Sequence, residues 1–355
     1  MSNEGWYSGD LHLHFERTGD NDDLLFTLTS AKDIKYGFLL SMNTKGYDRG
    51  GEFESWRQAK GLGDQSNARK GPYHISSGLE YRPQSLGHVS IVMGDGYVPG
   101  SGRRDNVNES PSLSLIADQA HELDGFIGLL HGGYDHKEAD RLGLEGKMDF
   151  LELFQFGGYR GLGLQGWYDF LNLGYRWPIV GSSDFPYTRE LGDCLTYVSA
   201  STPPTPREFV QQVAAGSSFV TSGPMLLLNV NGRSPGSFLA FSNGSKNAAE
   251  VQVKVLSPIY PVRFVDIIQD GRVIERKFAP EGRSRWEFAS VVPVSESGWI
   301  AARAYGDAGT DAHTNPVYLF IDGKRPFDAD ACDQILARLA GSARTIPNPA
   351  IQQQL

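Results

Sequence analysis

Over residues 1–223, short apolar runs alternate with stretches of helical spacing. Apolar runs at 9–14, 36–42, 74–81, 88–94, 126–131, 150–156 and 178–184 predict strands. Helical spacing covers 53–60 and 112–123, with a shorter case at 167–173. Thr205-Pro206-Arg207-Glu208 reads as a helix start, with Thr205 as cap, Pro206 in the first turn and Glu208 closing a capping box. Such alternation predicts an α/β fold of mostly parallel strands covered by helices, and seven strands suit a barrel better than a flat sheet.

After Gly223-Pro224 the pattern changes. Strands are expected at 225–230, 251–256, 262–269, 284–288, 299–305 and 317–321, with turn signals such as Asn231-Gly232 and Asp270-Gly271 between them. No helical stretch intervenes, which predicts a β-sandwich. The expected division is a barrel over 1–223, a sandwich-like domain over 224–326, and a C-terminal helix and loose tail over 327–355.

The formal charge of -9, with Lys and Arg scattered, argues against a nucleic-acid partner. The expected partner is a small-molecule or carbohydrate-like substrate. No run of apolar residues is long enough to span a membrane. The first residues lack a basic region followed by an apolar stretch, so no signal peptide is read there, and the compartment stays open. Cys194 and Cys332 are too few for a disulfide framework.

The candidate chemistry lies at strand ends. His12 and His14 alternate on one strand, so both imidazoles face the same side. Taken alone, that pair reads equally well as two ordinary barrel histidines. Glu80, His131 and Asp184 each end an apolar strand. The carboxyl ends of parallel strands are where barrels place their chemistry. Each group would otherwise need its own buried partner, and one shared metal cluster satisfies them together.

GDLHLH, GLEYR followed by GHVSIV, and GSSDFPYTRELGD resemble the polymerase and histidinol phosphatase (PHP) superfamily. Within it the chain is most similar to the carbaryl-hydrolase-like CehA/McbA family, and TSGPMLLLNVNG and AHTNPVYLFIDGKRP are similar to that family's β-rich C-terminal part. The resemblance implies a distorted (β/α)7 PHP-type barrel and two divalent ions, zinc or manganese, with iron also suited. His12, His14, Glu80 and Asp184 match one metal site. Glu80 also matches a carboxylate bridging to a second site, completed by His88 and His131. Met42 and Pro186 stand where many members carry further metal-binding histidines, so a third site is not expected.

The resemblance favours ester or carbamate hydrolysis by a metal-activated water. Phosphoester hydrolysis is the enzyme alternative, and a non-catalytic metal-containing carbohydrate-binding protein is the alternative of another class. Arg189 and Lys45 are candidates to replace the missing positive charge and clamp a substrate anion. Arg49 and Arg82 are weighed for the same role. His313 or Asn315 is considered as a rim residue brought in by the sandwich, against a satisfied turn. His131 is preferred to His136 because it ends the apolar strand. His121 is read as a surface residue and His74 as structural.

Overall fold

The computed structural model describes residues 1, 4–15, 17, 20–42, 61–83, 86–98, 111–133, 138–188, 190–244 and 246–345. The expected helix at 53–60, together with Lys45, Arg49, His136 and Arg189, lies outside them.

Seven strands make the first part of the sheet, with two short strands beside them. β1 (Trp6–Leu13) pairs in parallel with β2 (Tyr36–Met42). The short β3 (Ala68–Lys70) precedes β4 (Tyr73–Tyr81), which lies parallel to β2. β5 (Val89–Val92) runs antiparallel to β4 and to β6 (Phe126–Leu129). β7 (Phe150–Gln155) lies parallel to β6, carries the two-residue β8 (Gly158–Tyr159), and lies parallel to β9 (Ile179–Gly181). Just past β9, a parallel bridge between Leu13 and Phe185 returns to β1. Around the strands lie α1 (Asp22–Ala31), α2 (Leu113–Glu122), α3 (Ala139–Glu145) and α4 (Gly163–Asn172). The expected strict alternation breaks at β5. It is reversed because only the short link 82–88 separates it from β4, too short for the crossover that a parallel strand needs.

On the other side of β1 the sheet continues into β10 (Leu195–Ser199) and β11 (Ser218–Thr221), joined through α5 (Pro206–Ala214). α5 starts with the expected capping box, Thr205 N–H donating to Glu208 Oε2 at 2.7 Å and Glu208 N–H to Thr205 Oγ1 at 3.2 Å. Gly9 is required where α5 docks, because a Cβ there would lie 2.3 Å from the Phe209 ring.

The C-terminal part has two facing sheets. β12 (Met225–Val230), β14 (Ala248–Leu256) and β17 (Arg285–Pro293) form one, and β13 (Phe238–Phe241), β15 (Val262–Gln269), β16 (Arg272–Phe278), β18 (Gly298–Gly306), β19 (Asp311–Thr314) and β20 (Val317–Ile321) belong to the other. Along β14 every second residue is buried, so Ala249, Val251, Val253 and Val255 meet Leu226, Leu228, Val265, Ile267, Ile300 and Ala302 in one apolar layer. Each such burial contributes roughly 1–3 kcal/mol. The second sheet is continuous with the first part of the chain, because β19 pairs with β11. α6 (Ala329–Ala343) returns to the helices, with Arg338 donating to Asp140 at 3.0 Å and Asp169 at 2.7 Å. Among the described residues no helix is long and apolar enough to cross a membrane.

The expected polar turn at 312–316 is in large part strand β19, and this corrects the reading of His313. Its side chain is buried, not on a rim. Nδ1 donates to the Thr314 carbonyl at 2.7 Å, and Nε2 lies 2.7 Å from the Tyr168 hydroxyl. Trp167 packs edge-on to the ring. A neutral imidazole satisfies both contacts. Asn315 bonds both backbone groups of Ile179 and so ties β19 to β9.

Burial, with Arg303 nearby, pushes the pKa of His313 down to about 3, whereas the unfolded chain takes up that proton near 6.5. Between those values the unfolded state binds the extra proton. Stability should therefore fall as pH drops through that window, by up to ~1.4 kcal/mol per pH unit from this group. His313→Gln keeps a donor and an acceptor but does not titrate. Urea unfolding across this pH range should show a shallower acid limb for the variant, and equal slopes would contradict the assignment.

Candidate metal centre

Six side chains meet at one end of the parallel strands. His12 lies near the end of β1 and His14 just past it, Glu80 lies near the end of β4, and His131 and Asp184 follow β6 and β9. His88 immediately precedes β5. Because β5 is antiparallel, its start lies beside the ends of its neighbours, and the histidine reaches the same point.

The two carboxylates face two histidine pairs. Glu80 Oε2 lies 3.1 Å from His14 Nε2, and Glu80 Oε1 lies 3.1 Å from His88 Nδ1. Asp184 Oδ1 lies 3.1 Å from His14 Nε2 and 3.3 Å from His12 Nε2, while Oδ2 lies 3.4 Å from His131 Nε2. The resemblance assigns Asp184 to one site only, but its oxygens point to both pairs. Each carboxylate thus spans the cluster, one oxygen to each pole.

The donor set fits divalent cations. His14 Nδ1 lies 3.1 Å from the Leu40 carbonyl, which only accepts, so Nδ1 carries the proton. His12 Nδ1 lies 2.9 Å from Glu152 Oε1. With both Nδ1 protonated, the two Nε2 atoms turn toward each other at 2.9 Å inside the cluster. Two neutral imidazoles would then oppose lone pairs, an arrangement that a cation between them relieves. Both Glu80 oxygens are also buried without a well-formed hydrogen bond. Burial alone would make the Glu80 and Asp184 carboxyls weaker acids, but the surrounding imidazoles hold both well below the usual range. Burial lowers the basicity of His12, yet Glu152 and Asp184 outweigh it and raise its pKa. The carboxylate-rich cluster therefore favours positive charge, supplied by protons or by metal ions.

Two supporting carboxylates escaped the sequence reading. Glu152, inside β7, accepts from His131 N–H at 2.9 Å as well as holding His12. Asp10, in β1, accepts from Ser183 N–H at 3.1 Å and Ser183 Oγ at 2.6 Å, fixing the segment that carries Asp184. Their signal was a carboxylate inside an apolar strand, where burial demands a partner. His131 and Asp184 both adopt left-handed backbone, with φ of 54° and 58°. Residues with a Cβ rarely do so, and such strain persists where neighbours over-determine it. Here Glu152 accepts from the His131 amide, and Asp184 N–H donates to the His12 carbonyl at 2.9 Å.

At the rim, Arg82 Nε lies 3.6 Å from Glu80 Oε1, and the exposed Tyr187 ring meets His14 edge-on. The backbone of Met42 pairs in register with Glu80. His121 pairs with Asp149 at 3.0 Å, away from the cluster.

Glu152→Gln keeps the volume but removes the negative charge behind His12 and leaves one acceptor oxygen for two donors, His12 Nδ1–H and His131 N–H. Metal affinity should fall about 10–100-fold, the usual consequence of losing a carboxylate behind a ligand histidine. Metal titration followed by calorimetry checks this, with far-UV circular dichroism confirming the fold. Unchanged affinity would remove Glu152 from the centre.

No family model and no curated protein matches the chain. Among solved structures it is similar to the lesion-specific endonuclease PfuEndoQ from Pyrococcus furiosus, at 17% identity and a TM-score of 0.36 over 59% of this chain and 56% of that one. It is similar to PsfC from Pseudomonas syringae at 15% identity and a TM-score of 0.37, over 58% of this chain and 88% of that one. A third is endonuclease Q in complex with a 27-mer duplex, at 16% identity and a TM-score of 0.38, over 59% of this chain and 57% of that one. This chain thus spans a little over half the length of the endonucleases it matches. That endonuclease is seen with a duplex substrate, and the exclusion of nucleic acid drawn from net charge is withdrawn, together with the expectation of a small-molecule or carbohydrate-like substrate. Net charge sums the whole surface, whereas contact with phosphate depends on the charge where the phosphate sits.

Proposed function

We propose that this chain is a metal-dependent hydrolase acting on phosphoester bonds. The observation that carries the reading is the placing of Glu80 and Asp184, each with one oxygen toward each histidine pair. His12 and His14 would hold one ion and His88 and His131 a second, with both carboxylates shared. Histidine and carboxylate donors suit zinc, manganese or iron. Ions held there supply Lewis acidity and make a water more acidic.

The chain's own residues do the rest. Glu152, Leu40 O and Asp10 keep the imidazoles and the Asp184 segment in fixed orientations. Arg82 places a guanidinium at the rim, suited to a non-bridging phosphate oxygen. Lys45 and Arg189 are proposed for the same task. Cys194 is buried, which pushes its thiol well up and disqualifies it as a nucleophile. The resemblance to the PHP superfamily, which includes phosphoesterases, supports this reading. Ester or carbamate cleavage rests on the narrower resemblance alone.

Purified chain should contain about two divalent ions, as a two-metal hydrolase requires. It should hydrolyse aryl phosphates faster than aryl acetates. His12→Ala and Asp184→Ala should lose metal and reduce turnover about a hundredfold or more, about 2.7 kcal/mol. Full metal content in both variants would refute the centre. Retained metal dependence with acetate as the better substrate would refute the phosphoester assignment alone.

A further inference from the structure

A cavity of about 470 Å³ opens at the end of the same strands opposite the metal centre, where β1, β2 and β4 begin. That volume is within the usual range for small-ligand sites. Its walls include Tyr7, Lys35, Tyr36, Arg69, His74 and Pro203, and no acidic side chain is among them. His74 and Glu80 are six positions apart on β4, about 20 Å of strand, so the cavity is separate from the metal centre.

One wall is a fixed stack of rings. Phe209 lies against Tyr36 with centroids 4.6 Å apart, and Tyr36 lies against His74 at 5.0 Å and 6°. The Tyr36 hydroxyl donates to the Pro204 carbonyl at 2.6 Å, which locks the middle ring. The stack ends at His74. Among the described residues the half-buried His74 ring meets no other ring, and its nitrogens have no hydrogen-bond partner.

The second wall is cationic. Arg69 sits opposite His74 in the β3–β4 pairing. Its Nε donates to the Gly71 carbonyl at 2.8 Å, and no carboxylate pairs with the guanidinium among the described residues. Lys35 adds an ammonium, ion-paired with Asp33 and lying over the face of Tyr73. Arg69 is exposed, so its fork stays available to an incoming anion.

We propose that this cavity is a binding site for a small planar aromatic anion, its ring continuing the stack on His74 and its carboxylate meeting Arg69. A guanidinium fork matches a carboxylate with two parallel hydrogen bonds, and offset stacking favours a flat ring over a puckered one. The unpartnered imidazole nitrogens offer a hydrogen bond to a ring substituent.

The test is a titration with benzoate, followed by NMR of the His74 ring protons, which are assigned by their loss in His74→Phe. Reading His74 separates this cavity from any carboxylate bound at the metal centre. Benzoate should shift these signals saturably. Benzamide, which lacks the charge, and cyclohexanecarboxylate, which lacks the flat ring, should each bind at least about tenfold more weakly. Arg69→Gln should weaken benzoate by a similar factor, about 1.4 kcal/mol. The exposed position of Arg69 keeps that variant folded, and circular dichroism checks it. No shift at millimolar benzoate, equal binding of cyclohexanecarboxylate, or undiminished binding to Arg69→Gln would overturn the proposal.

Discussion

Two buried carboxylates that must be compensated organise the first half of this protein. Glu80 and Asp184 lie within reach of four imidazoles, and two of those rings are anchored at their far nitrogens by Glu152 and Leu40 O. Taking ionised carboxylates out of water is expensive unless opposite charge arrives with them. Protons on the histidines can provide that charge, but with both Nε2 atoms protonated His12 and His14 oppose each other at 2.9 Å as two donors, and a single proton shared between them supplies only one charge. Cations remove the conflict, because every inward-facing atom then acts as an electron-pair donor.

The surrounding architecture meets the same constraint. A parallel strand delivers one or two side chains at its end, as β1 does with His12 and His14, and the site needs more to converge. Reversing β5 adds His88 from the opposite direction. Left-handed backbone at His131 and Asp184 turns two further side chains inward, and Glu152 and Asp10 hold those turns from behind.

Much of this was legible in the sequence. Strand-end positions of Glu80, His131 and Asp184 followed from apolar runs that stop at an ionisable group, and the structure gathers those residues with His12, His14 and His88. Glu152 and Asp10 were missed because attention to strand ends passes over carboxylates inside strands. β16 was missed because its sequence, Arg272–Phe278, is largely solvent-facing and carries little apolar alternation. β19 was read as a turn because Asp311 and His313 look polar, while their burial is set by Arg303 on the neighbouring strand and by Tyr159 and Tyr168 from a distant segment. Periodicity records what a segment offers to water, and partners 145 and 152 residues apart leave no local trace.

The pairing of β11 with β19 also bears on how the chain is made. Residues near 220 pair with β10 on one side, but their partner on the other side lies only near 313. During synthesis the first eleven strands therefore leave the ribosome with β11 as an unpaired border, which stays open until roughly a hundred more residues follow. Such a border is a template for joining another chain, and pairings this remote in sequence form slowly. A fragment ended at the Gly223-Pro224 boundary would keep that open border permanently, and self-association is the outcome its geometry favours.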